Sequence, residues 1–212
     1  MYKEVAVENF SDIPLMVMSG ANRIELNDNL AVGGTTPSLG VVQETSKYLQ
    51  EKGIPLVEMI RSRGGNFVYN DIELKMMEAD LFQAQKLGID AVTFGALTKD
   101  GDIDEEAMEL LIGSSSGMQI VFHMAFDAIP LEKQFHAIDW LVENNVDRIL
   151  THGGALDIPI ENTIDHLKEI IEYAAGRIEI LPGGGINYDN CDDIAKELNV
   201  NALHGTQIIN PK

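Results

Sequence analysis

The chain has 212 residues, 45% hydrophobic and 23% charged, the balance of a globular protein with a substantial core and not of a disordered or collagen-like one. Its 15 Lys and Arg stand against 34 Asp and Glu, a net charge of −19, which argues against nucleic acid or an anionic membrane surface as partner, since both need a basic face. The single cysteine, Cys191, excludes an intramolecular disulfide, the opening MYKEVAVENF lacks the apolar stretch of a signal peptide, and no run reaches the length of a membrane span, so the expectation is a reduced, cytoplasmic, soluble protein.

Short Val/Ile/Leu-rich runs recur at residues 3–8, 22–27, 54–60, 89–94, 118–123, 147–152, 177–182 and 200–205. Amphipathic or polar segments separate them. Leu74, Met77, Leu81, Ala84 and Leu87 step by three and four, the helical period, and Leu131, Phe135, Ile138 and Val142 do the same. Ile160, Ile164, Leu167 and Ile171, and then Cys191, Ile194 and Leu198, continue it. Thr36 before Pro37 reads as a helix N-cap, and Asn70 with Glu73 and Asp102 with Glu105 have capping-box spacing.

Alternating strand and helix implies a parallel sheet covered on both faces, and eight such units predict a single (β/α)8 TIM barrel of near-minimal length. The open doubly wound alternative needs a glycine-rich turn after the first strand, where this chain has Glu8-Asn9-Phe10-Ser11-Asp12. After the eighth run only residues 205–212 remain, too few for a final covering helix. The seam between strands eight and one, with its apolar Ile208-Ile209 pair, is therefore expected to be covered by the chain's own tail or by a second subunit, most simply in a homodimer.

Barrel chemistry sits at the carboxyl ends of the strands. The polar residues there are Glu8 on strand one, Glu25 and Asn27 on strand two, Arg61 and Arg63 after strand three, and Thr93-Phe94-Gly95 on strand four. His123 ends strand five with Asp127 four residues on, Thr151 and His152 end strand six, Gly183, Gly184 and Gly185 follow strand seven, and His204 and Thr206 end strand eight. Arg61 and Arg63, beside the Gly64-Gly65 turn, can grip a carboxylate or phosphate, or can pair with Glu25 or Glu58. The three glycines stand where barrels often bind phosphate, and glycines also serve tight turns. His123, His152 and His204 can act as acid/base groups or metal ligands, or can be structural. Glu8 and Glu25, on adjacent strands, can form a carboxylate pair or a salt bridge to Arg61. The candidate catalytic groups are thus Glu25, His123, Asp127 and His204. The candidate ligand-binding groups are Glu8, Arg61, Arg63 and Gly183–Gly185, and no residue set is assigned to a metal.

The motifs GANRIEL (20–26), GGTTPSLGVV (33–42), IRSRGGNFVYND (60–71) and FGALTKDGDID (94–104) resemble those of the CutC copper homeostasis proteins. FHMAFD (122–127), RILTHGG (148–154), PGGGIN (182–187) and LHGTQ (203–207) extend the resemblance, in order, over almost the whole chain. The resemblance implies a cytoplasmic TIM barrel with a role in copper homeostasis and with copper ion as its bound partner. The chain departs from CutC-like proteins that carry cysteine at the positions of Ala6 and Asn27, arginine at Met124 and serine at His152, and that continue further past the last strand. Without those cysteines the soft thiolates that Cu(I) prefers are missing, and Cys191 lies on the apolar stripe of its helix. The resemblance points to a copper-handling protein. The residues alone point to a barrel enzyme acting on a small anionic metabolite, its copper phenotype indirect, or to a barrel that serves as a binding scaffold.

Overall fold

The computed structural model describes residues 1–211. Eight parallel strands run β1 (Tyr2–Glu8), β2 (Arg23–Asn27), β3 (Leu56–Met59), β4 (Ala91–Phe94), β5 (Gln119–Phe122), β6 (Arg148–Thr151), β7 (Glu179–Pro182) and β8 (Ala202–Gly205). Between them lie α1 (Ile13–Met18), α2 (Leu39–Lys52), α3 (Asp71–Leu87), α4 (Glu105–Gly113), α5 (Leu131–Glu143), α6 (Ile164–Ala174) and α7 (Cys191–Leu198). All eight expected strands are present, in the order β7-β6-β5-β4-β3-β2-β1-β8. The ring closes just beyond β7 and β8, through a parallel bridge between Asn187 and Gln207. A Cβ on Gly205 would sit 2.5 Å from the Ile186 carbonyl oxygen, so glycine is what lets β8 approach this closely. The fold is a (β/α)8 TIM barrel.

Strand alternation divides the side chains into two populations. Val5, Ile24, Leu26, Val92, Phe94, Phe122, Ile149 and Leu203 belong to the main apolar core, together with the helix residues Leu49, Met77, Leu81, Leu111, Ile138 and Leu167. Inside the barrel a smaller apolar layer consists of Val57, Ala91, Val121, Leu150 and Leu181. The interior positions of β1 and β2 are instead polar: Glu4, Arg23, Glu25 and Asn27 are all buried.

Helix starts differ from expectation at two places. Asn70 caps α3 with a complete capping box to Glu73. The start of α2, however, is Ser38 before Leu39, because the Thr36 hydroxyl accepts from the Arg61 backbone N–H instead. Asp104, not Asp102, caps α4, accepting from Ala107 N–H, while Asp102 pairs with Lys133. No helix follows β8 among the described residues. The seam is closed by the tail itself: Ile208 and Ile209 are buried within the single chain, so the seam gives no reason to require a second copy. Among the described residues no helix is long and apolar enough to cross a membrane.

Candidate functional site

The carboxyl ends of the strands surround a cavity of about 550 Å³, within the range of small-molecule sites. Its walls are mostly apolar, among them Ala6, Met59, Phe67, Met124, Leu150 and Ile186. The polar groups on it include Glu25, Asn27, Arg61, His123, Asp127, His204 and Thr206, with backbone from Gly184 and Gly185.

The floor is a chain of buried charges rising through the barrel. Arg23 pairs with Glu4, and His204 Nδ1 lies 2.7 Å from the other Glu4 oxygen. His204 Nε2 faces Glu25 Oε2 at 3.8 Å, and Asn27 Nδ2 donates to that same oxygen at 2.9 Å. Strand pairing produces this arrangement, because Glu4 is in register with both Arg23 and His204. Burial would raise Glu4, but the hydrogen bond and charge of His204, followed by Arg23, outweigh it and lower its pKa to about 2. Burial would lower His204, but Glu25 and Glu4 on its two sides raise it. Glu25 is raised, by burial first and then by the Glu4 charge, against the opposing pull of His204 and Asn27. Glu25 Oε1 and Asn27 Oδ1 are buried without a hydrogen-bond partner. These are costly positions unless something pairs with them.

His123 stands on the same cavity. Its Nδ1 accepts from the Ala125 N–H at 3.2 Å, which places the imidazole proton on Nε2, and Nε2 is buried without a partner. Burial, reinforced by the nearby Arg61 charge, lowers its pKa to about 3. At neutral pH it is a neutral N–H donor.

The other expected groups are committed to structure. Arg61 lines the cavity, but its guanidinium donates to the carbonyls of Val32, Gly34 and Gly65 at 2.9, 3.0 and 2.7 Å and lies 4.8 Å over the Phe67 ring. It clamps two loops and is not an open fork for an anion. Arg63 lies off the cavity, bound to Glu73 at 2.5 Å and to the carbonyls of Gly64, Asn66 and Val68. Asp127 is on the cavity but is filled by the Thr151 hydroxyl at 2.6 Å and the N–H groups of His152, Gly153 and Gly154. Glu8 is exposed and accepts from Leu30 N–H at 2.7 Å, so it does not pair with Glu25. His152 lies between the carbonyls of Gly183, Gly184 and Ile158, joining the loops after β6 and β7. A Cβ at Gly184, whose φ is +79°, would come within 2.8 Å of His152 Nδ1, so this glycine serves a close turn as well as the cavity wall.

The structure therefore joins Glu25, His123 and His204 with the strand-end Asn27, leaves Glu8 and Arg63 outside, and adds Glu4 and Arg23. Glu4 and Arg23 lie at i, i+2 spacing with Ala6 and Glu25. That alternation could have placed them inside the barrel had its polar face been read as the interior one.

Copper was tested against the donors present. Cys191, the only thiol, is fully buried on α7 and does not line the cavity. The terminal methyl of Met59 lies by Gly34, after β2, and that of Met124 by Gly183, after β7, so the two side chains lie against different loops. Glu4, Glu25 and His204 offer atoms within 4.8 Å of one another, but both imidazole nitrogens already face acidic side chains, Nδ1 at 2.7 Å from Glu4 and Nε2 at 3.8 Å from Glu25. The mouth is not a soft-metal donor set.

Residues 1–209 match the CutC family. The chain is similar to a CutC family protein of Enterococcus faecalis, 57% identical over 99% of this chain and 100% of that one. It is 38% identical to the human copper homeostasis protein cutC homolog, over 95% of this chain and 71% of that protein. The crystal structure of CutC from Streptococcus agalactiae superposes with a TM-score of 0.95 at 48% identity, covering 98% of this chain and 99% of that one. An aldolase at TM-score 0.72 and 16% identity, covering 97% and 90%, shows the shared barrel alone.

Proposed function

The chain belongs to the CutC family, and on that premise we propose that it serves copper homeostasis in the cytoplasm through a small-molecule site in the barrel mouth, not by holding Cu(I) on sulfur. The names of human and mouse relatives support the copper role. The single free, buried cysteine and the net charge of −19 fit a reducing compartment.

One observation carries the small-molecule reading: buried, unpartnered polar atoms on Glu25, Asn27, Arg61 and His123, four residues that line one largely apolar cavity. Native interiors rarely leave such atoms unmatched, and a bound ligand is the economical match. An anionic ligand gripped by two arginines is the weaker form of this reading, because Arg61 is spent on backbone carbonyls and Arg63 is off the cavity.

An anaerobic Cu(I) titration against a competing chelator tests the claim. The expected result is that neither the protein nor its Cys191→Ala variant competes with a moderate chelator. Tight stoichiometric binding that is lost in Cys191→Ala would overturn it.

A further inference from the structure

Two of the unpartnered atoms on the mouth have complementary chemistry. Glu25 Oε1 is an acceptor on a carboxylate whose other oxygen is held by Asn27 and faced by His204. His123 Nε2 is a donor whose tautomer is fixed by the Ala125 N–H. An acidic side chain and a neutral imidazole N–H, buried in the wall of one largely apolar cavity, suit a substrate that loses a proton to one and offers an oxygen to the other.

The alternatives are poorly supplied. No lysine and no cysteine is among the described residues lining the cavity, so neither an imine nor a thioester can form there. Asp127 and His152, which would otherwise compete for an acid or base role, are saturated by hydrogen bonds to the loops they hold. Arg61 spends both terminal nitrogens on three carbonyls and keeps a single unpartnered Nε–H, so the cavity has no bidentate fork for a carboxylate or phosphate and suits a ligand whose oxygens are uncharged.

Resting on the small-molecule reading above, we infer that the mouth removes a proton from the carbon beside a carbonyl group in a small, uncharged hydroxycarbonyl compound, with Glu25 as base and His123 as donor to the carbonyl oxygen. In this step the C–H bond breaks and its proton passes to Glu25 Oε1. The C–H electron pair becomes the carbon–carbon double bond of the enol form, and the carbonyl pair moves onto oxygen, where His123 Nε2–H stabilises it. Return of the proton to the same carbon restores the carbonyl and gives exchange or epimerisation. Return to the former carbonyl carbon gives isomerisation: the hydroxyl proton on the carbon that lost its C–H passes to the former carbonyl oxygen, and the new carbonyl forms at that carbon. No oxidant, reductant or second substrate is consumed. His204, Glu4 and Arg23 are positioning residues: His204, held between the two acidic side chains, fixes Glu25 and separates it from Glu4.

The test is proton exchange in D₂O followed by ¹H NMR, using dihydroxyacetone, hydroxyacetone and D-glyceraldehyde as probes and saturation transfer to score binding. The full chain is expected to bind at least one probe and to speed loss of its α-proton signal. Glu25→Gln is expected to lower that rate by about 100-fold or more, and His123→Ala by about 100-fold. Glu25→Asp, which keeps the charge, retains partial activity and guards against loss of fold, with thermal melting run on every variant. A probe that binds but exchanges no faster than with Glu25→Gln overturns the inference and leaves the small-molecule site standing. Exchange unchanged in a folded Glu25→Gln overturns it as well, and so does a failure of all three probes to bind or exchange. The small-molecule site is judged separately, by the copper titration above and by whether blocking the mouth abolishes copper tolerance.

Discussion

Glu25 and Glu58 are both buried carboxyl groups on neighbouring strands, and their surroundings give them different properties. Glu25 faces into the barrel, with His204 and Asn27 beside it. Glu58 faces outward towards α3, where one of its oxygens has no partner. Burial first, and then the Asp80 charge, raises its pKa from the model-compound value of 4.5 to about 8. Between those two values the folded protein holds a proton that the unfolded chain releases, so stability falls as pH rises from 4.5 to about 8. Glu58→Gln should remove this slope, shrinking the stability difference between mildly acidic and mildly alkaline buffer by roughly 2–4 kcal/mol in urea unfolding. A slope unchanged in the variant would mean that Glu58 ionises normally. At this scale the sequence was half legible. Glu25, His123 and His204 were readable from their places at strand ends. The occupation of Arg61, Arg63 and Asp127 was not, because the carbonyls and N–H groups that bind them lie in loops whose geometry no spacing rule specifies.

The eight strands were visible as apolar runs because a parallel sheet buries its strands on both faces. Helix faces were read less well. On α5 the expected stripe began at Leu131 and Phe135, yet Leu131 is 62% exposed, and the buried face carries Gln134, Ala137, Ile138 and Leu141. Phe135 instead stacks on Tyr173 of α6 at 4.2 Å, an apolar contact on the surface that resembles a core position in sequence. The Asn70 cap was legible because its signal is local. The Asn70 side chain accepts from Ile72 and Glu73 N–H at 2.9 and 3.1 Å, and Glu73 returns a bond to the Asn70 N–H at 2.9 Å. Asn70→Ala should therefore cost about 1 kcal/mol in chemical denaturation. Glu73 also holds Arg63, so Glu73→Ala, which keeps the Asn70 side-chain cap but removes the bond to the Asn70 N–H and leaves Arg63 short of its carboxylate, should also destabilise in chemical denaturation. A variant as stable as the parent would show that this ion pair adds nothing.

Across the whole molecule the fold was legible and the interior was not. Strand alternation in Arg23-Ile24-Glu25-Leu26-Asn27 reads as one polar and one apolar face, and the polar face of such a strand is usually solvated. In a closed barrel that face lies inside. The charges at Glu4, Arg23, Glu25 and His204 meet there only because β8 returns beside β1, across almost the full length of the chain. The same closure buries Ile208 and Ile209 and completes the wall of the cavity at the mouth through Ile186, Asn187 and Gln207. The central claim is that this mouth, and not the lone thiol, performs the protein's work in copper homeostasis. The most direct measurement is the copper tolerance of cells that lack their own copy of the protein and are given variants in its place. Ala6→Phe in the floor and Ala155→Trp at the rim fill the cavity, while Cys191→Ala removes the thiol. With all three folded, as judged by thermal melting, the cavity variants should fail to restore tolerance and Cys191→Ala should restore it. Rescue by the cavity variants together with failure of Cys191→Ala would contradict the account.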